Sequence, residues 1–298
     1  MAQAMPVPAP AANQPPTDSD NTAPDQAPTP GSQDSPTTDG PRGPSVFSLE
    51  LATLRFSDPF TWLRLGWQDF TRCPRIGLFY GLCFFAMGHA LMAVLEQAPA
   101  YVLALSAGFL LLGPFLSLGL YDASKAMQTN SHRPSLRASL TAWRPTKGAM
   151  AIFAGVLLIL EMLWGRASMV VFAVSFNNLP TSNFLQHIFA WENIGFLITY
   201  TVVGAVFAGL IFVTSVVSIP MIMDRQVDAV SAGLTSIRAC LQNPGVMLVW
   251  GALITTVIVL AMLPWFLGLF VAGPVIGHAT WHAYRHIVPA DTPPDATA

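Results

Sequence analysis

Residues 239–284 run for 46 positions without one Asp, Glu, Lys or Arg. Other charge-free runs cover 76–95, 97–121 and 193–223, with 20, 25 and 31 residues. A helix needs roughly 20 apolar residues to cross the hydrocarbon core of a bilayer, so runs of this length constrain the chain more than any motif does. The longest is too long for one span. Pro264 sits near its middle, where a proline suits a tight turn between two helices.

Residues 148–176 read as one further span, interrupted by Glu161 and Arg166. A carboxylate at mid-membrane costs about 2.5–3.5 kcal/mol on insertion scales. Eight neighbouring Ile, Leu, Val and Phe residues between Ile152 and Leu163 each return about 0.3–0.6 kcal/mol. The two contributions nearly cancel, so the segment should insert. The expected fold is an all-α membrane protein of six spans, near 76–95, 99–121, 149–170, 194–217, 245–263 and 265–285.

Lys and Arg set the orientation. Arg64, Arg72 and Arg75 precede the first span. Lys125, Arg133, Arg137, Arg144 and Lys147 fill the second connection, Arg225 and Arg238 the fourth, and Arg285 closes the sixth span. The odd-numbered connections carry none. Both termini are therefore expected in the cytoplasm of a bacterial inner membrane. Arg166 departs from the pattern and should snorkel outward. In the third connection, Phe184, Ile188, Phe189 and Trp191 suit a short helix at the outer interface.

Residues 1–45 are of another kind. The first 44 hold 11 of the 25 prolines, five Asp and one Arg, a composition that cannot bury enough surface to offset chain entropy. We expect a disordered cytoplasmic tail and no secretory signal at its start. Residues 46–75 should form a cytoplasmic interfacial segment, 76–288 the bundle, and 289–298 a short second tail.

Each pair of spans is preceded by an amphipathic stretch. Asp58 and Pro59 suit a helix start. Phe60, Leu63, Trp67 and Phe70 share one face and Arg64, Gln68 and Arg72 another. Leu136, Leu140 and Trp143, and later Val227, Val230, Leu234, Ile237 and Leu241, repeat the pattern at helical spacing. The stretches end at Pro74, Pro145 and Pro244, and the second span of each pair carries Pro114, Pro220 or Pro274. We read three helical hairpins, each preceded by a short interfacial amphipathic helix. Gly113-Pro114, Pro220 and Gly273-Pro274 are the expected kink and packing positions, where small residues let helices approach.

Few polar groups lie within the spans. His89 and Glu161 fall at similar computed depth and would form a pair able to pass a proton. His278, His282 and His286 follow at i, i+4 and i+8 on one face, a spacing from which two imidazoles can reach one metal ion, although no acidic residue in that stretch adds a ligand. A haem between His89 and His278 is disfavoured, because their depths differ by roughly 10 Å at 1.5 Å rise per residue. Cys73, Cys83 and Cys240 form no C-x-x-C pair and read as small apolar residues. The 14 Lys+Arg against 16 Asp+Glu exclude a nucleic-acid binder, and no nucleotide-, hydrolase- or zinc-protease motif is present.

Four segments also carry a resemblance: Trp62-Leu-Arg-Leu-Gly-Trp67-Gln-Asp-Phe, Gly108-Phe-Leu-Leu-Leu-Gly-Pro-Phe-Leu-Ser-Leu-Gly-Leu-Tyr121, Ser218-Ile-Pro-Met-Ile-Met-Asp-Arg225 and Gly273-Pro-Val-Ile-Gly-His-Ala-Thr-Trp-His-Ala-Tyr284. Over roughly residues 58–288 the chain resembles a family of uncharacterised proteobacterial predicted integral membrane proteins, a domain of unknown function. The resemblance implies a multi-span inner-membrane protein and supplies no activity.

The leading expectation is a non-enzymatic scaffold or accessory component without a cofactor. Its partners would be the lipid bilayer and a membrane protein or a second copy of itself. Two alternatives stand beside it: a small-solute or proton-coupled permease using His89 and Glu161, and a metal- or haem-binding redox subunit.

Overall fold

A computed structural model describes residues 49–97, 102–129, 134–176 and 190–289. The N-terminal tail, the outer-interface segment around Phe184–Phe189 and the last nine residues lie outside the described residues. The described chain is mostly helical, with no strand among the described residues. In order come α1 (Asp58–Arg72), α2 (Pro74–Gln97), α3 (Val102–Thr129), α4 (Leu136–Thr141), α5 (Lys147–Ser175), α6 (Ile194–Ser215), α7 (Ser218–Arg225), α8 (Ala229–Gln242), α9 (Pro244–Met262) and α10 (Leu269–Ile287). Two short 3-10 turns, Arg144–Thr146 and Trp191–Asn193, precede α5 and α6.

Four stretches are long and apolar enough to cross a membrane: Pro74–Val94, Leu136–Ser175, Trp191–Arg225 and Pro244–Met262. The outer faces agree. Ile152, Ile159, Val170 and Val174 on α5, Ile198, Val202 and Val206 on α6, and Leu248 and Leu260 on α9 are all exposed. A water-soluble protein rarely shows apolar surface so continuous, and in a bilayer such surface is solvated by lipid.

Prolines set the joints. The residue before a proline is disfavoured in the helical region, while the proline itself is well placed as a first helical residue. The α1–α2 joint at Cys73–Pro74 and the α8–α9 joint at Asn243–Pro244 therefore break alike. Cys73 has φ −125°, ψ 59° and Asn243 has φ −129°, ψ 54°. Each donates its backbone N–H to the fourth residue before it, Asp69 and Ala239 respectively.

Pro220 does not merely bend a span; the helix stops between α6 and α7. The backbone N–H of Val217 bonds the Ser236 hydroxyl at 3.2 Å, and that hydroxyl donates to the Val213 carbonyl at 2.7 Å. A serine from α8 thus stands where the Val217-to-Val213 bond of a continuous helix would run. Pro274 lies inside α10, which continues through it. Its missing N–H frees the Phe270 carbonyl, and that oxygen abuts Gly81 of α2 so closely that a Cβ there would collide with it. Gly273 faces the Phe84 ring, where a Cβ would lie 2.6 Å away, whereas Gly113 has open space around it. The α3 backbone stays helical through Pro114. Around Pro264 the chain turns over Leu263–Gly268, with Trp265 at φ 47° and Phe266 at φ 61°.

Helix α10 sits centrally, packed against α1, α2, α3 and α9. The amphipathic reading of α1 needs revision in one respect. Phe60 and Trp67 are exposed as a bilayer-surface helix would have them, but Pro59, Trp62, Gly66, Asp69 and Phe70 are buried. The helix has an outer aromatic face and an inner face against α10, where a Cβ on Gly66 would lie 2.5 Å from the Val275 carbonyl. Trp62 meets Trp250 edge-on at 5.5 Å.

Candidate functional site

Three i,i+4 pairs converge inside the bundle: Asp69 and Cys73 from the end of α1, Ser124 and Gln128 from the end of α3, and His278 and His282 from α10. Helical spacing puts each pair on one face, and the central position of α10 turns the faces toward each other. Ser124 and His278 are fully buried, and Asp69 and His282 nearly so.

The protons can be followed. The Ser124 hydroxyl donates to Asp69 Oδ2 at 2.8 Å, and His282 Nε2–H donates to the same oxygen at 2.8 Å. Gln128 Nε2 donates to His282 Nδ1 at 2.9 Å, and Trp281 Nε1 donates to Gln128 Oε1 at 2.9 Å. Since Ser124 has given its one proton to Asp69, His278 Nδ1–H donates to the Ser124 oxygen at 2.7 Å. The Cys73 thiol donates to the Asp69 backbone carbonyl at 3.1 Å, with its sulfur 3.9 Å from His278 Nε2.

The electrostatics fit this order. Burial pushes the Asp69 carboxyl up, but the hydrogen bonds from His282 and Ser124 outweigh it and hold the group below the ordinary Asp value. Burial, with the Asp69 charge nearby, pushes the Cys73 thiol to about 11, so this cysteine is not a thiolate nucleophile at neutral pH. Activating a serine requires a base that takes its proton. Here the proton goes to a carboxylate already shared with a histidine.

A second buried carboxylate, Asp224 on α7, stands on the other side of α3 and α10. Lys125 Nζ lies 2.8 Å from Oδ1, while Tyr284 OH at 2.8 Å and Arg285 Nη1 at 3.2 Å donate to Oδ2. The third histidine, His286, accepts from Trp62 Nε1 at 3.1 Å and has Asp58 Oδ2 at 3.9 Å.

The residues singled out from sequence fall as follows. His278 and His282 share one cluster but hold serine, carboxylate and amide groups, and His286 belongs with Trp62. Among the described residues no group of three or more His, Cys, Asp and Glu is placed to hold a metal ion. His89 is exposed, its Nδ1 3.2 Å from the Phe85 carbonyl and its ring against Phe85 and Phe266. Glu161 lies elsewhere, buried in a groove beside Trp164 and Gly204. The structure does not bring these two together. Arg166 is exposed. Asp69 and Asp224 were missed, because each reads as one acid beside basic residues at the edge of an apolar run. The available signal was the stripe Trp62, Gly66, Asp69, Cys73, whose 4-3-4 spacing defines the inner face of α1.

Residues 102–224 match the model of a family described as predicted integral membrane proteins, DUF2189. The match runs from the start of α3 to the penultimate residue of α7, and contains the Gly108–Tyr121 segment and all but the last residue of Ser218–Arg225. No curated protein and no solved structure matches the chain.

Proposed function

We propose that this integral membrane protein is a non-enzymatic bundle of six spans, α2, α3, α5, α6, α9 and α10, serving as a scaffold or accessory component of a bacterial inner membrane. The observation that carries the reading is the Asp69 cluster. Its serine, histidines and carboxylate are the groups from which a catalytic centre could be made, yet they are consumed in binding α1, α3 and α10 to each other. The Asp224 cluster does the same for α7. A buried charge network of this kind favours one arrangement of helices over its competitors.

Four of the six helices meet the length and apolarity that a span needs. At 28 and 19 residues, α3 and α10 would extend about 42 and 28 Å, the first well beyond the roughly 30 Å core and the second close to it. With the basic residues at the even connections, the reading places both termini in the cytoplasm.

Two measurements test it. Reporter fusions in the connections at 98–101, 177–189 and 264–268 should be external, and those at 130–135 and 226–228 internal; an external reporter at 130–135 would sink the topology. Cross-linking in native membranes should trap the full-length chain in a discrete larger species. A chain that stays monomeric at native abundance would remove the scaffold reading.

A further inference from the structure

A groove of about 920 Å³ lies between α5, α6, α8 and α9. It runs from Trp164 and Gly204, halfway along their helices, to Cys240 and Pro244 at the α8–α9 joint. Phe207, Phe212, Met247 and Leu248 give it apolar walls, and Gly204, Ala208 and Gly251 leave it open. Such a volume, mostly apolar with one acidic polar group beside the hydroxyls of Ser215 and Thr255, has the character of a small-molecule site.

That polar group is Glu161. It is 7% exposed and lines the groove. Among the described residues its carboxyl has no hydrogen-bond or ion-pair partner, and its oxygens keep some accessible surface. No Lys, Arg or His lines the groove. Every other buried carboxylate described above is matched by donors from neighbouring helices. An unmatched one in an apolar wall is costly, and a ligand that brings a positively charged donor relieves that cost with a charge-assisted hydrogen bond.

We propose that this groove binds a lipophilic amine, with its ammonium against Glu161 and its apolar body along Phe207, Phe212 and Met247. Charge complementarity selects the amine, since the site offers one acid and no base. From α5 only Glu161 and Trp164 line the groove, which selects a small molecule over a helix, since a helix would need a seam running the length of α5. The site is independent of the scaffold reading, because none of its residues belongs to the Asp69 or Asp224 clusters.

The test is equilibrium binding of tritiated dodecylamine to the full-length protein in maltoside micelles at neutral pH, with tritiated dodecanol as the neutral analogue. The wild type should bind dodecylamine saturably at one site, with dodecanol at least tenfold weaker. Glu161→Gln should lose at least tenfold in dodecylamine affinity, while Glu161→Asp keeps most of it. Gly251→Phe should abolish binding, because Gly251 faces the groove with its nearest neighbour, Phe212, 3.6 Å from a Cβ. Melting temperatures report whether each variant is folded, and Gly251→Phe decides the matter if Glu161→Gln does not fold. Non-saturable uptake by the wild type, or dodecanol binding as well as dodecylamine, overturns the proposal. So does full affinity in a folded Glu161→Gln.

Discussion

Asp69 and Asp224, 155 positions apart on different helices, are held by consecutive residues of α3: the Ser124 hydroxyl donates to Asp69, and the Lys125 ammonium pairs with Asp224. Successive residues on a helix point about 100° apart, so one turn of α3 serves a carboxylate on each side. α10 answers from its own last turns, with His282 toward Asp69 and Tyr284 and Arg285 toward Asp224. Two clamps therefore close on the same helix pair.

Removing one partner of a buried charged network is expensive, because the others stay behind without it. Asp69→Ala should lower stability by roughly 3–5 kcal/mol, read as a fall in melting temperature in detergent. Ser124→Ala should cost less on its own, and less again in an Asp69→Ala background, where only its bond from His278 is left to lose. Additive losses would show that the two groups do not interact.

Acid should open the same clamp. The Asp69 carboxyl is held below its ordinary value of 3.8. A depressed folded value stabilises the native state above the unfolded value, and this is lost as pH falls through the folded one. The melting temperature should thus fall below about pH 3.8, and Asp69→Asn should remove that part of the acid dependence. An identical acid limb in the variant would refute the assignment.

The glycines separate into two classes that mutation can tell apart. Gly81→Ala forces a methyl group onto the Phe270 carbonyl, and overpacking of this kind costs about 1–3 kcal/mol. Gly113→Ala meets nothing within 4 Å and should be neutral or slightly stabilising, since alanine is the better helix former. Thermal unfolding of the two variants side by side checks the contrast.

Helix α8 begins with Asp228, whose Oδ1 accepts the backbone N–H groups of Val230 and Ser231. Asp228→Ala should cost roughly 1 kcal/mol, and Asp228→Asn much less. Faster amide exchange over residues 229–233 in the alanine variant alone is the expected signature.

Much of the fold was legible because the bilayer imposes a single requirement, apolar length, that charge-free runs report directly. The run 239–284 was expected to divide at Pro264, and α9 and α10 end and begin within a few residues of it. The Asp58–Pro59 start of α1 was legible too, although the Asp58 carboxylate accepts the Arg55 N–H rather than a helix N–H. The inner face of α1 was not. Phe60 and Trp67 announce a membrane-facing side by size alone, whereas Gly66 and Asp69 acquire meaning only against Ala279 and His282, more than two hundred residues away. The i,i+4 histidines show the limit most plainly. All three were expected on one face; His278 and His282 meet the Asp69 cluster while His286 meets Trp62, and these partners come from helices whose packing no local pattern encodes. The stop before Pro220 had a visible cause, while Ser236, which fills the gap, looked like any polar residue on an amphipathic helix.

The Ser236 hydroxyl has a mechanical consequence. It satisfies the backbone at Val213 and Val217 only while α8 stays docked, so the elbow between α6 and α7 and the seating of α8 move as one part. Prising α8 away strands a peptide donor and a peptide acceptor together, and straightening the elbow leaves the serine with nowhere to go. Asp224 hangs from the far side of that elbow. Any force on α8 is thereby geared to the α3–α10 pair with little slack between them.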